Sequence, residues 1–343
     1  MAAKRFKVYI ECNTYNQSAY IEDTLNGFVL QETNFPYVAV VADDASTDGE
    51  QKVLLDYLAA NFDKCNLTTE YEHENEEVVI HFARHKVNRN CYFAVVLLKY
   101  NHYSKQLSRQ HIYDIWQQNC EYVALCEGDD YWIDSMKLQK QVDFLDGNSE
   151  YGMCHTDFVL ADSGRRKHYV EKYSDGNYFP FIITNNDIAI GTLTVVFRYS
   201  TFMSTPKSYR SQRFVAGDYP LWIELSKISK IKYLRERTSA YRVHSGSASH
   251  SSNIKKAIQF REGMMTIRKF YAELYGLKIT DYKSYYTNLL RTCYILEDAD
   301  MAVQKGYEAY KSNNLTIRGI VFYIGAKYNW IHRLIDMFYR SPR

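Results

Sequence analysis

The sequence predicts an α/β fold, in which a mostly parallel sheet is flanked by helices and is followed by a C-terminal helical extension. Short apolar runs at residues 6–12, 38–42 and 122–126 have the composition of buried strands. The first two runs are each followed by a segment with helical spacing of its apolar residues. Because strands that alternate with helices form parallel sheets with right-handed crossovers, this order indicates the α/β class. Hydrophobic residues make up 46% of the 343 residues, which is enough for a substantial core.

The individual elements follow from the same patterns. The first helix is predicted within residues 18–32, where apolar residues recur on one face. A proline early in GDYPLWIELS predicts the start of a helix at residues 217–226. The other expectations are, in order, a helix around 53–58, a strand at 78–82, a polar insertion at 104–115, a substrate-facing connection at 162–190, a strand at 193–198, a strand that ends in the small-residue loop of 241–252, and helices from 253 onward.

Charge and cysteine content indicate which partners and which cellular compartment to expect for the chain. Residues 255–343 hold 15 Lys and Arg against 8 Asp and Glu, so this end is basic although the whole chain carries only +2. No arginine-rich block accompanies it, so we expect no nucleic-acid partner. The seven cysteines form no CxxC pair, and the N-terminus leaves no room for a signal peptide ahead of the first strand. No uncharged apolar run approaches the 18 or so residues that span a bilayer. These features predict a cytoplasmic protein.

Polar clusters follow three of the predicted strands. They are NTYN at residues 13–16, DDASTDG at 43–49 and EGDD at 127–130. In parallel sheets, ligands bind at the carboxyl ends of the strands, so we expect the clusters to converge. Each cluster by itself also suits a turn or a helix N-cap, and the acidic one lacks the spacing of an EF-hand calcium loop. Three carboxylates at a strand end are tolerable when a cation neutralises them, and hard oxygen ligands suit Mg²⁺ or Mn²⁺.

The ordered set of motifs resembles the family 2 glycosyltransferases of the GT-A fold. The set comprises TYN, DDASTDG, EGDDYW, GDYPLW and YRVHSGS, and it covers residues 5–250 or so. The subtype that builds bacterial surface polysaccharides is the most similar. The resemblance implies a catalytic domain at 1–252, with a nucleotide-sugar half at about 1–130 and an acceptor half at about 131–252. A C-terminal helical region at 253–343 lies outside it.

In this resemblance the acidic cluster carries the metal site. The family's Asp-x-Asp motif corresponds to Glu127-Gly128-Asp129, with Asp129 as a direct ligand of Mn²⁺ or Mg²⁺. Glu127 departs from the usual first Asp, and its longer side chain reaches the ribose or a metal-bound water instead. Asp130 either supports the metal ligands or faces the acceptor. His244 would be a further metal ligand or a diphosphate contact, although a histidine in a surface loop is the common alternative.

The resemblance also assigns the donor nucleotide, a UDP-sugar, to the first two clusters. Thr14 and Tyr15 would contact the base and ribose, with Tyr15 stacking on the uracil, and Asn16 belongs to the same site. Asp43 would accept a hydrogen bond from the uracil imide, and Asp44 would lie near the ribose. A buried carboxylate selects a base because the wrong base leaves it unpaired.

The remaining motifs of the resemblance concern the acceptor and the diphosphate. Asp218 in GDYPLW is the candidate general base, since an inverting transfer needs a carboxylate beside the acceptor hydroxyl. Its alternative is an ordinary helix N-cap, and Asp157 is a weaker candidate at the acceptor side. Arg242 would help to balance phosphate charge, and residues 245–249 would form a lid over the donor.

Together these features predict an inverting, metal-dependent glycosyltransferase that moves a sugar from a UDP-sugar to a glycan or lipid-linked acceptor in cell-surface polysaccharide synthesis. The alternatives are a sugar-phosphate nucleotidyltransferase, which would need a Gly- and Arg-rich phosphate loop after strand one, and a non-catalytic glycan-binding module. Residues 315–343 either pack on the protein or on a second copy in a homodimer, or form a basic amphipathic helix at the inner face of the cytoplasmic membrane.

Overall fold

The computed structural model of the chain describes residues 6–63, 71–162, 166–167, 176–185, 190–206, 212–244 and 251–339. Its backbone divides into two compact units. The first consists of residues 1–178, 190–206 and 224–242, and the second of residues 179–189, 207–223 and 243–343. The second unit therefore joins the predicted C-terminal helical region to two shorter segments of the preceding chain.

The strands of the described ranges all belong to the first unit. They are β1 (Val8–Thr14), β2 (Tyr37–Asp43), β3 (Phe62–Asp63), β4 (His73–Glu74), β5 (Val78–His85), β6 (Cys91–Leu98), β7 (Tyr122–Leu125), β8 (Tyr131–Trp132), β9 (Tyr151–Leu160), β10 (Arg166–Lys167), β11 (Val196–Arg198) and β12 (Lys230–Tyr241).

The helices surround the sheet in the first unit and make up most of the second. They are α1 (Ile21–Val29), α2 (Glu50–Asn61), α3 (His102–Lys105), α4 (Gln110–Gln117), α5 (Lys137–Gly147), α6 (Phe181–Thr184), α7 (Tyr199–Met203), α8 (Asp218–Ile228), α9 (Ile254–Leu274), α10 (Tyr282–Ile295), α11 (Ala299–Lys311), α12 (Ile317–Lys327) and α13 (Asn329–Tyr339).

One sheet contains all the described strands, in the order β3-β5-β6-β2-β1-β7-β11-β9-β12-β8, with β10 beside β9 and β4 beside β5. Its central strands β6, β2, β1 and β7 are parallel, and Thr14 at the end of β1 pairs with Asp43 at the end of β2. The strands on either side, β5 and β11, join this block in antiparallel orientation. The predicted α/β fold with a parallel central sheet is confirmed.

The core of the first unit forms where helices cover the parallel strands. Alternate residues of β1 point to this side, and α1 and α5 contribute further apolar side chains. Its buried residues include Val8, Ile10, Cys12, Ile21, Leu25, Phe28, Ala39, Val41, Phe93, Val95, Ala124, Trp132, Leu138 and Val142. Since a parallel strand is covered on both faces, β2 and β6 are buried along their entire length.

Two segments differ from the sequence-based expectation. Residues 104–115, interpreted as a polar insertion, contain the end of α3 and most of α4, whose Ile112, Tyr113 and Trp116 are buried. Helix α4 is amphipathic, and its polar side dominates the sequence, which explains the error. The strand predicted at 193–198 is shorter, because residues 192–194 form a 3₁₀ turn before β11 begins at Val196.

The second unit has a core of its own, built between α9, α10, α11 and α12. Its buried residues are Ile258, Leu289, Leu290, Cys293, Tyr294, Ala302, Phe322 and Ala326. Residues 317–339 form two helices rather than one, because Tyr328 adopts an extended conformation between α12 and α13. Across the described ranges, every helix is too short or too polar to cross a bilayer.

The described cysteines are all free and buried. Burial raises the pKa of the thiols of Cys91, Cys154 and Cys293 to about 12. These thiols are therefore protonated and pack as small apolar groups.

Candidate active site

The three polar clusters converge at the carboxyl edge of the parallel strands, as predicted. The amide of Asp44 donates to the carbonyl of Thr14 at 3.0 Å, which joins the ends of β1 and β2. On the other side of β1, the amide of Gly128 donates to the carbonyl of Asn13 at 3.1 Å. The end of β1 thus lies between the other two clusters and holds both by backbone hydrogen bonds.

Side chains connect the first two clusters further. The side-chain oxygen of Asn16 accepts a hydrogen bond from the amide of Thr47 at 2.8 Å, and the amide of Asn16 donates to the hydroxyl of Ser46 at 2.8 Å. Asn16 has a φ of 54°, a left-handed conformation that Asn tolerates better than most residues. This turn leaves Tyr15 47% exposed, so its ring is available to a ligand.

Glu50, the first residue of α2, lies behind this edge and was missed by the sequence analysis. Its buried carboxylate accepts hydrogen bonds from the Gln17 amide at 2.8 Å, the Ser46 hydroxyl at 2.9 Å and the Thr14 hydroxyl. Burial raises the pKa of Glu50, although these donors act in the opposite direction. An acidic residue at the start of a helix is an ordinary pattern, so the sequence gives no signal for this role.

Asp43 presents a buried acceptor that the described residues do not satisfy. Its Oδ1 accepts hydrogen bonds from the Ser46 amide at 3.1 Å and from Gln51 Nε2 at 2.6 Å. Its Oδ2 is buried and has no hydrogen-bond partner within the described part of the chain. A buried oxygen in this state is costly, so the position suits a ligand that supplies an N–H group.

Asp44 is buried next to Asp43, but both of its carboxylate oxygens already accept hydrogen bonds. Its two carboxylate oxygens accept hydrogen bonds from the backbone amides of His102 at 2.7 Å and Tyr103 at 3.0 Å, at the start of α3. Arg109 Nη1 lies 3.9 Å from Asp44 Oδ2. The sequence analysis did not single out Arg109, and its place in the supposed polar insertion hid it.

The acidic loop after β7 contains a buried carboxyl group whose pKa is raised. Asp130 is 3% exposed, and its Oδ1 accepts a hydrogen bond from the Arg242 amide at 2.8 Å. Burial, together with the charges of Asp129 and Glu127, raises the pKa of Asp130 to about 9. Burial is the larger of these causes, and the neighbouring carboxylates add to it.

Arg242, the residue that follows β12, supports the same loop. Its Nη1 donates to the carbonyl of Asp129 at 2.8 Å, and its Nη2 donates to the carboxylate of Asp23 at 2.7 Å. The guanidinium also lies over the rings of Tyr20 and Tyr131. Arg242 was predicted to balance phosphate charge. In this structure its guanidinium binds the Asp129 carbonyl and the Asp23 carboxylate of the protein itself.

Gly128 fits a space that admits no side chain. A Cβ atom there would collide with the side chains of Thr14 and Gln17. The carbonyl of Gly128 accepts a hydrogen bond from the Thr24 hydroxyl at 2.9 Å, so α1 also holds this residue. The glycine of the EGDD motif is thus required for the close approach of the acidic loop to the end of β1.

The donor atoms of this edge fit a hard divalent cation that is shared with a ligand. Within the described ranges, no three His, Cys, Asp or Glu side chains form a group that could hold a metal ion by themselves. Mg²⁺ and related ions bind through one or two carboxylates together with substrate phosphates, and do not need a complete protein cage. Asp129 and Glu127 are the two carboxylates of the acidic loop that could take this role, and their charges add to the effect of burial in raising the pKa of Asp130.

The remaining candidate residues belong to other elements of the chain. Asp218 is the first residue of α8, in the second unit, and its Oδ1 accepts a hydrogen bond from the Tyr219 amide at 2.8 Å. His244 is also in the second unit, so the roles of these two residues stay predictions. Asp157 is completely buried in β9 and accepts a hydrogen bond from the Tyr233 hydroxyl at 2.7 Å. The lid predicted at residues 245–249 lies outside the described residues.

Comparison with known sequences gives distant relatives. No known family profile matches the chain. An uncharacterized protein of Mycobacterium bovis is 28% identical over 254 residues, and uncharacterized proteins of two Mycobacterium tuberculosis strains match equally well. The match covers 70% of this chain and 59% of each relative, so this chain spans only part of their length.

Solved structures that are similar to this chain include that of S. aureus TarS, residues 1–349, in complex with UDP. It has a TM-score of 0.44 and 14% identity, over 98% of this chain and 92% of that one. The mannosyltransferase PcManGT from Pyrobaculum calidifontis, in complex with GDP-Man and Mn²⁺, has a TM-score of 0.49 and 12% identity, over 98% and 88%. At these scores, the similarity does not decide which ligand this chain binds.

Proposed function

We propose that this chain is an inverting, metal-dependent glycosyltransferase that transfers a sugar from a UDP-sugar to a glycan or lipid-linked acceptor. The observation that carries the proposal is the junction of three polar clusters at one sheet edge, where Asp43 Oδ2 is buried without a partner. Ligands of parallel α/β sheets bind at this edge. A nucleotide offers both an N–H group for a carboxylate and a diphosphate that attracts a cation.

In this proposal the nucleotide lies across the ends of β1 and β2. Asp43 Oδ2 accepts the hydrogen bond of the uracil imide, and the exposed ring of Tyr15 stacks on the base. Thr14 and Asn16 shape the ribose site. Asp44 lies near the ribose and supports this site indirectly, because both of its carboxylate oxygens already accept hydrogen bonds from backbone amides of α3.

The diphosphate and its metal ion lie beside the acidic loop. Asp129 would hold Mn²⁺ or Mg²⁺, with Glu127 at the ribose or a metal-bound water, and His244 would be a further ligand. When bound, the ion stabilises the negative charge of the departing nucleoside diphosphate. Asp130 is buried and accepts a hydrogen bond from the Arg242 amide, so it would support the loop from behind the ion.

The acceptor is activated by a carboxylate in this proposal. Asp218 takes the proton from the acceptor hydroxyl while the hydroxyl oxygen attacks the anomeric carbon from the side opposite the diphosphate. Attack from that side inverts the configuration of the sugar. The partly exposed position of Asp218 at the start of α8 is compatible with access by an acceptor.

A peripheral membrane contact of the second unit would bring the enzyme to a lipid-linked acceptor. The outer face of α12 carries Ile317, which is 84% exposed, and Ile320, which is 39% exposed. On α13, Trp330 is 66% exposed and Leu334 is 41% exposed. Residues 315–335 include two Arg and one Lys but no Asp or Glu. An apolar surface with basic residues suits an anionic lipid surface, and cell-surface polysaccharide synthesis at the inner face of the cytoplasmic membrane is the setting that we propose.

Release of UDP from UDP-sugars tests the central proposal. We expect Mn²⁺-dependent UDP release by the parent protein, its loss in EDTA, and a decrease of at least about 100-fold in Asp129→Ala. The control is Asp56→Ala, which removes an exposed carboxylate of α2 that pairs with Lys52. Equal rates for Asp129→Ala and the parent would refute the metal role.

The same assay separates the alternatives. A nucleotidyltransferase would join UTP to a sugar 1-phosphate and release diphosphate from the UTP. It would not release UDP from UDP-sugars. A glycan-binding module would release nothing in either reaction. The structure offers no observation that favours either alternative over the glycosyltransferase.

A further inference from the structure

The face of β1 opposite the core is polar, which is unusual for a central strand of a parallel sheet. Alternate residues of β1 point to this face, namely Tyr9, Glu11 and Asn13, and α4 covers them with Tyr113 and Gln117. A carboxyl group in such a place must have hydrogen-bond donors around it, because burying it without them costs several kcal/mol.

The polar side chains of β1 and α4 form one connected network. Tyr113 donates its hydroxyl hydrogen to Asn13 Oδ1 at 2.5 Å, and Asn13 Nδ2 donates to Glu11 Oε1 at 3.2 Å. Gln117 Nε2 donates to Glu11 Oε2 at 3.0 Å. Both ends of the Asn13 amide are therefore fixed, one by helix α4 and one by the strand itself.

Asn13 also contacts the acidic loop through its backbone. Its carbonyl oxygen accepts the hydrogen bond of the Gly128 amide at 3.1 Å, and Gly128 is the central residue of the Glu127-Gly128-Asp129 segment. The side chain of Asn13 thus faces α4, while its carbonyl supports the loop that carries the carboxylates. The two connections are only a few bonds apart.

We infer that Asn13, held by Tyr113 and Glu11, is a positioning residue that sets the orientation of the acidic loop for a cation bound together with a nucleoside diphosphate. This inference rests on the proposed function and deepens it. Loss of the Tyr113 hydrogen bond would leave the Asn13 side chain less restrained, so the end of β1 would fluctuate more and its bond to Gly128 would open more often. The carboxylate of Asp129 would then be less well oriented toward the cation.

The test uses Tyr113→Phe, which removes one hydroxyl and leaves the ring of a buried side chain in place. Its matched control is Tyr57→Phe, which removes the hydroxyl that donates to Asn26 Oδ1 at 2.7 Å in another part of the first unit. Amide hydrogen exchange of the ligand-free proteins is measured first. We expect peptides that contain Gly128 to exchange about three- to ten-fold faster in Tyr113→Phe than in the parent or in Tyr57→Phe.

The second measurement is binding of UDP by calorimetry over a series of Mn²⁺ concentrations. We expect Tyr113→Phe to need about five-fold more Mn²⁺ for half-maximal binding, while UDP binding at saturating Mn²⁺ returns to the parent value. A merely structural role would lower the unfolding temperature without this shift in metal dependence. Tyr57→Phe should bind like the parent.

The remaining outcomes distinguish a failure of this inference from a failure of the proposed function. Unchanged exchange at Gly128 in a folded Tyr113→Phe protein would overturn the inference, and so would faster exchange with an unchanged Mn²⁺ dependence. In both cases the proposed function survives, because the parent still binds UDP with Mn²⁺. A parent protein that binds no UDP at any Mn²⁺ concentration would overturn the proposed function, and the positioning role with it.

Discussion

Asp43 shows at the residue scale how a binding site differs from the rest of a folded interior. One of its oxygens accepts two hydrogen bonds, and the other is buried without a partner among the described residues. Such an oxygen costs free energy in the unliganded protein. In the proposed function, a ligand that brings a donor would offset this cost, and the interaction would select bases with an N–H group at the right position.

Asp43→Asn is expected to change stability and binding in opposite directions. The Asn oxygen can keep the bonds to Ser46 and Gln51, while its NH₂ group replaces the unpaired oxygen and removes a buried charge. We expect an unchanged or higher unfolding temperature together with UDP binding that is weaker by about 10- to 100-fold, the range for a lost hydrogen bond to a charged group. Thermal unfolding and calorimetry on the same preparation measure both.

The exposed Asp56→Asn variant serves as the comparison for Asp43→Asn, since it also replaces a carboxylate of the first unit by an amide. It should leave UDP binding unchanged. Tight binding by Asp43→Asn would contradict the role of Asp43 in base recognition, whatever the stability of the variant.

The residues of the site were predictable to different degrees. The clusters NTYN, DDASTDG and EGDD stand out because charged and polar residues interrupt apolar runs at the ends of strands. Glu50, Glu11 and Tyr113 gave no such signal. Each acts through a partner that is distant in sequence, such as Asn13 for Tyr113, and pairwise contacts of this kind cannot be derived from the spacing of residue types in one sequence.

At the scale of elements, the position of α1 depends on a glycine. A Cβ atom on Gly27 would lie 2.8 Å from the backbone nitrogen of Trp132 in β8 and 2.9 Å from its carbonyl oxygen. The backbone of α1 therefore passes directly over that of β8, and the ring of Trp132 packs against Phe28. This contact lies just after the acidic loop.

Gly27→Ala is expected to destabilise the protein by about 1–3 kcal/mol, because the methyl group would meet backbone atoms that cannot move aside. Gly147→Ala is the matched control, since Gly147 is exposed at the end of α5 and has nothing within 4 Å of its Cβ position. That change should stabilise the protein by about 0.5–1 kcal/mol through helix propensity. Urea unfolding of both variants checks the opposite signs, and equal effects would contradict the close packing of α1 on β8.

The elements themselves show why periodicity predicts some segments and misses others. The strands β1, β2 and β7 are short apolar runs with polar ends, and they lie where the sequence predicts them. Strand β6 is just as buried, but the sequence analysis assigned nothing there because no polar cluster drew attention to it. The break between α12 and α13 was also missed, since Tyr328 is neither Gly nor Pro and the apolar pattern continues across it.

At the scale of the whole molecule, the second unit carries apolar side chains on surfaces that face away from its own core. On α12, Phe322 and Ala326 face the core, while Ile317 and Ile320 lie on the outer side. On α13, Trp330 and Leu334 are exposed in the same way. Aromatic and aliphatic residues next to Arg and Lys are typical of helices that lie at a lipid interface.

Liposome flotation tests the membrane contact. We expect the parent protein to float with vesicles that contain anionic phospholipid and to remain in the dense fraction with neutral vesicles or at high salt. Ile317→Ser combined with Trp330→Ser should reduce flotation by about five-fold or more, because two exposed apolar anchors are removed without changing the charge. Tyr103→Ser, at an 82% exposed aromatic residue of the first unit, is the control.

Sedimentation of the same proteins completes the flotation test. Equal flotation of the parent and the double variant would contradict the membrane contact. A parent dimer that the double variant converts to monomers, with no flotation of either protein, would assign this surface to a second copy of the chain instead.

The position of Glu50 has a consequence for how a ligand would arrive. Its carboxylate joins Thr14 at the end of β1 and Gln17 in the loop after it to Ser46 in the loop after β2, before any ligand is present. The entropy lost in fixing these two loops is therefore spent during folding. A nucleotide that binds here, as proposed, would find this rim preassembled, and its association could proceed as rigid docking.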